Sequence, residues 1–330
     1  MLNNLVNRHD IHRVYRKAAD GDVRAMFDKL RGSSQERVVR QWSDTAPEPS
    51  QWWSIPAVRR RWNRMVSGEE TEDFPAFAAQ RYLRDREGLR ALSLGCGMGG
   101  RELRWAELGV FDHIDAFDIA PTQVEVAAAR ARNEGYDEIV SFAVRDFTKL
   151  GADDRYDVVL AEHSLHHLAP MPEVVAKIDE ILLPNGLFLV DEYIGPKRFQ
   201  WKDEQVRAAQ AVLDSLPERF RRIGPSEIKR RVVRPSRLWM LLTDPSEAID
   251  SDRIVPTLHH QFDVLEELPY GGAVLHIALA DISQNFLDDD GETLEVLANA
   301  FDAEDRLMAN GVVSSDFAAF VCRKRERAVT

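Results

Sequence analysis

A glycine-rich turn in the first third of the chain constrains its fold more than any other feature. Residues 90–94 (RALSL) form an apolar run typical of a β-strand, Gly95, Gly97 and Gly99 follow it, and the apolar spacing after Arg101 predicts a helix. A side chain in such a turn would keep the backbone away from a ligand, and the turn uses backbone angles that glycine adopts most easily. Strand, turn and helix together predict a nucleotide-binding site.

Strand and helix patterns alternate regularly after this turn, and two more strand patterns follow near the end of the chain. Such alternation predicts an α/β fold with a Rossmann-like, doubly wound, mostly parallel seven-stranded sheet, in which ligands bind at the carboxyl ends of the strands. The predicted strands are 91–94, 113–118, 138–144, 156–161, 186–191, 262–267 and 317–322. The residues at or just beyond the first five carboxyl ends are Gly95, Asp118, Asp146, Glu162 and Glu192. We therefore expect these five positions to meet at one crevice.

The segments around this core divide the chain into four predicted parts. Residues 1–85 are predicted to form an N-terminal helical cap, 86–192 the Rossmann-like core, 193–261 a helical lid insertion, and 262–330 the completion of the sheet. The cap contains Trp42, Trp52, Trp53 and Trp62, which at this spacing are core residues or, for one or two of them, walls of an acceptor pocket.

Composition limits the partners and the compartment. The net charge of -12 argues against broad nucleic-acid binding, and no apolar run is long enough to cross a membrane. No pattern near Met1 resembles a signal peptide, so we expect a cytoplasmic protein in which Cys96 and Cys322 are reduced. Whether the chain forms a homodimer is left open.

Two cofactors are compatible with the glycine turn alone. A dinucleotide would place its pyrophosphate at the helix N-terminus, with Asp118 on the ribose hydroxyls. That reading predicts an NAD(P)-dependent oxidoreductase. A third reading is a cofactor-binding module without catalytic activity.

Six segments together resemble the class I S-adenosylmethionine-dependent methyltransferases in order and spacing. The resemblance is strong from about Leu89 to Val190 and weaker through the last strands. The segments are Ala91–Gly99, Phe117–Ala120, Arg145–Phe147, Tyr156–Val159, Leu165–Leu168 and Leu182–Phe188.

The resemblance implies a set of cofactor-binding residues. Gly95, Gly97 and Gly99 would approach the methionine and ribose, Asp118 with Ile119 beside it would bind the ribose hydroxyls, Asp146 and Phe147 would contact the adenine, and Glu162 would lie near the transferable methyl group. A carboxylate suits a diol because it can accept two hydrogen bonds at once.

One position departs from the family pattern. Two residues before Gly95 the family usually has an acid, and here the residue is Ser93. The amino end of the cofactor must then be held by water, by a backbone carbonyl or by another acid, for which Glu102 and the N-terminal cap are candidates.

The activity that follows is methyl transfer to a small molecule, more specifically to a hydroxyl of a natural-product or sugar-like acceptor. A hydroxyl needs a general base, and imidazole titrates near the working pH. His163 is the first candidate, with His167, His166 and Glu192 behind it. No metal is expected, because the histidine spacing differs from that of zinc-binding helices.

Overall fold

The structure is a computed structural model that describes residues 51–151, 153–225 and 227–326. Most of the predicted N-terminal cap, including Trp42, lies outside these ranges. The described part of the cap, residues 51–85, consists of helices and turns. Trp52 is buried within it, and the ring of Trp62 packs against Tyr270 with the centroids 4.9 Å apart.

The strands of the described chain form one mixed seven-stranded sheet. They are β1 (Arg90–Leu94), β2 (His113–Asp118), β3 (Val140–Val144), β4 (Tyr156–Glu162), β5 (Leu182–Tyr193), β6 (Phe262–Gly271) and β7 (Phe317–Lys324). Their order is β3-β2-β1-β4-β5-β7-β6. β1 to β5 run parallel, whereas β7 pairs antiparallel with both β5 and β6. The predicted Rossmann-like, mostly parallel sheet is confirmed, with one antiparallel hairpin at its end.

Helices flank this sheet at the places that the sequence pattern predicts. Several end at a glycine in the left-handed conformation, among them Gly109 (φ +65°) and Gly135 (φ +79°). The helix over Leu275–Leu279 is short because the backbone leaves the helical conformation at Ala280, where ψ is 141°, and turns at Asp281, where φ is +64°. The α-helices of the described residues are α1 (Pro56–Ser67), α2 (Phe74–Ala78), α3 (Gly100–Leu108), α4 (Pro121–Glu134), α5 (Met171–Ile181), α6 (Asp203–Ser215), α7 (Arg237–Thr243), α8 (Ile254–Gln261), α9 (Leu275–Leu279) and α10 (Gly291–Ala309).

Alternating residues of β1 contribute to two different apolar cores. Leu92 and Leu94 belong to one buried cluster, while Ala91 belongs to another that contains Leu103 of α3. Because side chains of a strand alternate between its faces, Ser93 shares the face of Ala91 and is directed towards α3. The buried face of the first helix after the glycine turn therefore meets Ser93.

The segment 193–261 lies beside the carboxyl ends of β4 and β5. The backbone N–H of Ile249 donates to the carbonyl of His166, 2.9 Å away, just after β4. The last helix of the segment, α8, buries Ile254 and Leu258 in the same cluster as Leu92. The end of the segment therefore covers the sheet, and the residues around Ile249, just before it, border the predicted crevice.

Candidate functional site

Two glycines of the turn have different surroundings. Gly99 has φ +79°, and a Cβ there would lie 2.8 Å from Cζ of Phe142 and 2.9 Å from Cβ of Ala127. Gly97 has φ +49°, and a Cβ there would meet nothing within 4 Å. Gly99 therefore lets α3 pack closely on its neighbours, whereas Gly97 borders open space that a ligand can approach.

Asp118, at the carboxyl end of β2, fixes the conformation of this turn. Its Oδ2 accepts a hydrogen bond from the Gly97 N–H at 2.9 Å, and its Oδ1 accepts one from the Ala120 N–H at 2.8 Å. An ionised carboxylate has about four acceptor positions. The two backbone donors therefore leave capacity for a diol, and Ile119 beside it is 36% exposed.

Asp146 follows β3 and caps a short 3-10 turn over Phe147–Lys149. Its Oδ1 accepts from the N–H of Thr148 at 3.1 Å and from the Thr148 hydroxyl at 2.6 Å. Burial works to raise the pKa of Asp146, but these hydrogen bonds outweigh it and the pKa is lowered. Phe147 is buried in the core. Asp146 is thus an ionised, rigidly held acceptor at the same edge of the sheet.

Glu162, at the end of β4, is held by two residues of α3. Its Oε1 accepts from Nε1 of Trp105 at 2.6 Å, and its Oε2 lies 3.3 Å from Nη1 of Arg101. Arg101 Nη1 also lies 3.8 Å from Oδ2 of Asp191 on the neighbouring strand. Burial raises the pKa of Glu162. One guanidinium therefore bridges two partly buried carboxylates at the carboxyl edge.

His163 follows Glu162 directly and has an unusual backbone conformation. Its φ is +53°, in the left-handed region that non-glycine residues rarely adopt, and its N–H donates to the Asp191 carbonyl at 2.7 Å. Its Nε2 lies 3.7 Å from Asp191 Oδ2, and its ring centroid is 5.9 Å from that of Trp53. Burial, followed by the charge of Arg101, holds the pKa of His163 well below its usual range. The ring is therefore neutral near pH 7.

Glu192 is completely buried, and its side chain lies on the opposite face of β5 from that of Asp191. Its Oε2 accepts from the Leu165 N–H at 2.7 Å, and its Oε1 lies 2.5 Å from both Nδ1 of His166 and the Tyr193 N–H. Burial opposes ionisation of both partners, yet their mutual charge raises the pKa of His166 to about 9 and lowers that of Glu192. Glu192 and His166 thus form a buried ion pair.

His167 lies next to this pair. Its Nδ1 is 3.2 Å from the Ser246 hydroxyl, and burial lowers its pKa well below the usual range. Donor atoms of His166, His167 and Glu247 lie within 4.8 Å of one another, close enough to hold a metal ion. The His166 imidazolium between Glu192 and Glu247 accounts for this cluster as an ion pair, since its Nε2 is 3.5 Å from Glu247 Oε1.

Ser93 and Glu102 are in direct contact. The Ser93 hydroxyl donates to Oε1 of Glu102 at 2.6 Å, and the two residues are 5% and 2% exposed. Oε2 of Glu102 is buried and has no hydrogen-bond partner among the described residues. Burial raises the pKa of Glu102 to about 7. The carboxylate of Glu102 therefore lies beside Ser93, the position on β1 where the family pattern has an acid.

Arg101 and Tyr270 also contact the acids of this edge, although neither was predicted to be a site residue. Tyr270, on β6, donates a hydrogen bond from its hydroxyl to Oδ1 of Asp191. Arg101 could have been found from its place in the first turn after the glycines. Tyr270 has no such local signal, because the antiparallel hairpin of β6 and β7 brings it to the site from far along the chain.

Comparison with known proteins identifies this architecture. Residues 85–231 match the family model described as a methyltransferase domain. Sterol 4-C-methyltransferase strm-1 from Caenorhabditis elegans is 29% identical over 109 residues, which are 33% of this chain and 32% of the relative. The 27-O-demethylrifamycin SV methyltransferase from Amycolatopsis mediterranei is 28% identical over 193 residues, or 54% and 70% of the two chains.

Among solved structures, the N-methyltransferase NodS from Bradyrhizobium japonicum, in complex with S-adenosyl-L-homocysteine, is similar at 10% identity. The match covers 89% of this chain and all of that one, with a TM-score of 0.47. The chain spans about a third of the length of the curated relatives that it matches first, from 29% to 41%. By the family model, residues 85–231 form a methyltransferase domain, and this domain is similar to those of the class I S-adenosylmethionine-dependent family, whose cofactor is S-adenosylmethionine.

Proposed function

We propose that the chain transfers a methyl group from S-adenosylmethionine to a hydroxyl of a small natural-product or sugar-like acceptor, with His163 as the general base. The observation that carries this proposal is the position of His163. Its neutral ring follows β4 directly, beside Asp191 and Trp53, at the edge where the glycine turn, Asp118 and Glu162 also lie.

The residues present fit the cofactor. Open space beside Gly97 would admit its methionine and ribose, and Asp118 keeps acceptor capacity for the ribose diol after binding two backbone donors. Asp146 is an acceptor for the adenine side, and the buried Glu102 carboxylate has an unpaired oxygen. Bound there, the cofactor supplies a methyl group on a positively charged sulfur.

The chain's contribution is alignment, exclusion of water and removal of one proton. The hydroxyl oxygen would bond to the methyl carbon while the carbon–sulfur bond breaks and its electron pair stays on sulfur. Nε2 of His163 is directed towards Asp191, which leaves Nδ1 to take the hydroxyl proton. Trp53, close to the ring, would form an apolar wall that keeps water out.

The contacts favour His163 over the other candidates. Both oxygens of Glu192 already accept from buried donors, and His167 is placed against Ser246 and His166. A base must be able to approach the substrate's proton. We therefore assign Glu192 the role of holding the turn after β4, and we keep His167 as the second candidate.

Labelled cofactor tests the activity directly. The protein is incubated with S-adenosylmethionine carrying an isotopic methyl label and a metabolite extract, and the labelled product is identified. An oxygen-linked methyl group in a small molecule supports the proposal, and a carbon- or nitrogen-linked group overturns the hydroxyl assignment.

Calorimetry with S-adenosylhomocysteine and with NAD separates the alternatives. Binding of NAD alone would support the oxidoreductase reading and contradict the proposed function. Binding of S-adenosylhomocysteine without methyl transfer to any compound of the extract would support the non-catalytic module.

A further inference from the structure

We propose that Glu102 binds the ammonium group at the amino-acid end of the cofactor, and that the hydroxyl of Ser93 orients its carboxylate. This inference rests on the proposed function, because it assigns a residue to one part of the same cofactor. It means that the negative charge of this subsite is carried by α3 instead of β1.

The position of Glu102 follows from the alternation of β1 and the start of α3. α3 begins at Gly100, immediately after the glycine turn, so Glu102 lies in its first turn. Ser93 faces α3, and its hydroxyl reaches Oε1 of Glu102 at 2.6 Å. The carboxylate is thereby held between the strand that leads into the glycine turn and the helix that follows it.

The bonding of Glu102 is incomplete. The side chain is 2% exposed, and Oε2 has no hydrogen-bond partner among the residues that the structure describes. Buried acceptors are nearly always paired, so an unpaired one is a candidate position for a donor from water or from a ligand. Because the carboxylate is buried and negatively charged when ionised, its unpaired oxygen favours a positively charged donor.

No positively charged side chain among the described residues forms a hydrogen bond with Oε2 of Glu102. The nearest guanidinium, that of Arg101, is within 4.0 Å of the carboxylates of Glu162 and Asp191. Glu162 adds a second negative charge near Glu102, and burial outweighs Arg101 in the pKa of Glu102. A primary ammonium carries one positive charge and three N–H donors. It therefore complements both the charge and the unpaired oxygen.

The test compares S-adenosylhomocysteine with its deaminated analogue, in which hydrogen replaces the amino group. Dissociation constants are measured by calorimetry for the full chain and for Glu102→Gln. The matched control is Glu107→Gln on the same helix, because Glu107 is exposed and pairs with Arg104. Thermal unfolding of each variant is recorded alongside.

We expect Glu102→Gln to weaken S-adenosylhomocysteine about tenfold or more, as for a lost hydrogen bond to a charged group, and to leave the deaminated analogue unchanged. Ser93→Asp in the Glu102→Gln background returns the charge to β1 and should restore the difference between the two ligands. Equal weakening of both ligands, or of neither, overturns the inference.

A milder variant covers the case in which Glu102→Gln does not fold. Ser93→Ala removes the orienting hydroxyl and keeps the acid, so it should selectively weaken S-adenosylhomocysteine by a smaller factor. An unchanged ratio of the two ligands would contradict the inference. If the wild-type chain binds neither ligand, the proposed function fails instead.

Discussion

Nε2 of His163 lies 3.7 Å from Oδ2 of Asp191, while the backbone N–H of His163 donates to the Asp191 carbonyl at 2.7 Å. The end of β5 therefore positions both the backbone and the ring of the residue that follows β4. A strained backbone held by two contacts is typical of a functional position. Five predictions follow from this and the neighbouring arrangements.

Replacing His163 by Asn should lower kcat about 10²- to 10⁴-fold, the usual contribution of a general base. Binding of S-adenosylhomocysteine should be unchanged, because the cofactor residues remain. Turnover of the acceptor found with labelled cofactor measures the first quantity and calorimetry the second. His259→Asn, at an exposed position on α8, is the control. Unchanged turnover in the His163 variant would remove the base assignment.

The pH profile provides a second test of His163. Because burial and Arg101 hold its pKa well below the usual range, the ring stays neutral as the pH falls towards 6. We expect kcat to be flat between about pH 6 and pH 8, whereas an unperturbed histidine would give a rise centred near pH 6.5. A midpoint near 6.5 in the measured profile would contradict the buried, neutral ring.

Gly97→Ala and Gly99→Ala should differ in their effects on stability and on cofactor affinity. Both require a left-handed alanine, which costs about 1–2 kcal/mol of stability. Gly99→Ala should cost more, since its Cβ would lie 2.8 Å from Phe142. Gly97→Ala should keep more stability and lose more cofactor affinity, because its Cβ enters the open space. Urea unfolding and calorimetry separate the two effects, and the reverse order would be evidence against a ligand at Gly97.

Cofactor binding should release protons if Glu102 meets an ammonium group. Burial raises its pKa to about 7, so about half of the molecules carry this proton at pH 7, and a neighbouring cation would favour the ionised form. Calorimetry in phosphate and in Tris, which differ in ionisation enthalpy, should show a release of about half a proton. Glu102→Gln should abolish it, and identical enthalpies in the two buffers for the wild type would count against the contact.

The ion pair of His166 and Glu192 should make stability depend on pH. The pKa of His166 is raised to about 9 in the folded chain, against about 6.5 when unfolded. Its stabilisation is therefore complete below pH 6.5 and is lost as the pH rises through 9. The free energy of unfolding, from urea titrations at pH 6, 8 and 9.5, should fall more steeply for the wild type than for His166→Gln. Parallel curves would show that the pair contributes nothing.

The sheet and the glycine turn were predictable because their signals are local. Apolar runs, periodicity and glycine spacing identified the sheet strands to within a few residues, and the edge that gathers Asp118, Asp146 and Glu162 follows from parallel pairing. The approximate places of Asp118 and Glu162 could therefore be predicted before any contact was known.

The roles of Asp191 and Glu192 could not be separated in that way. Both are acids at the end of one strand, and alternation directs them to opposite faces. Asp191 faces Arg101, His163 and Tyr270, whereas Glu192 faces His166. Nothing in the local pattern says which face borders the site, because that depends on the strands and the insertion that pack there later.

The antiparallel hairpin separates the two halves of the candidate site along the chain. The glycine turn, Asp118 at the end of β2 and Asp146 after β3 all lie before residue 151. Tyr270 and Phe317, which contact Asp191 and His163, belong to β6 and β7. During synthesis the strands beside the glycine turn emerge early, and the surroundings of His163 are assembled only when the last strand inserts between β5 and β6. The proposed methyl transfer at His163 would therefore require the complete fold.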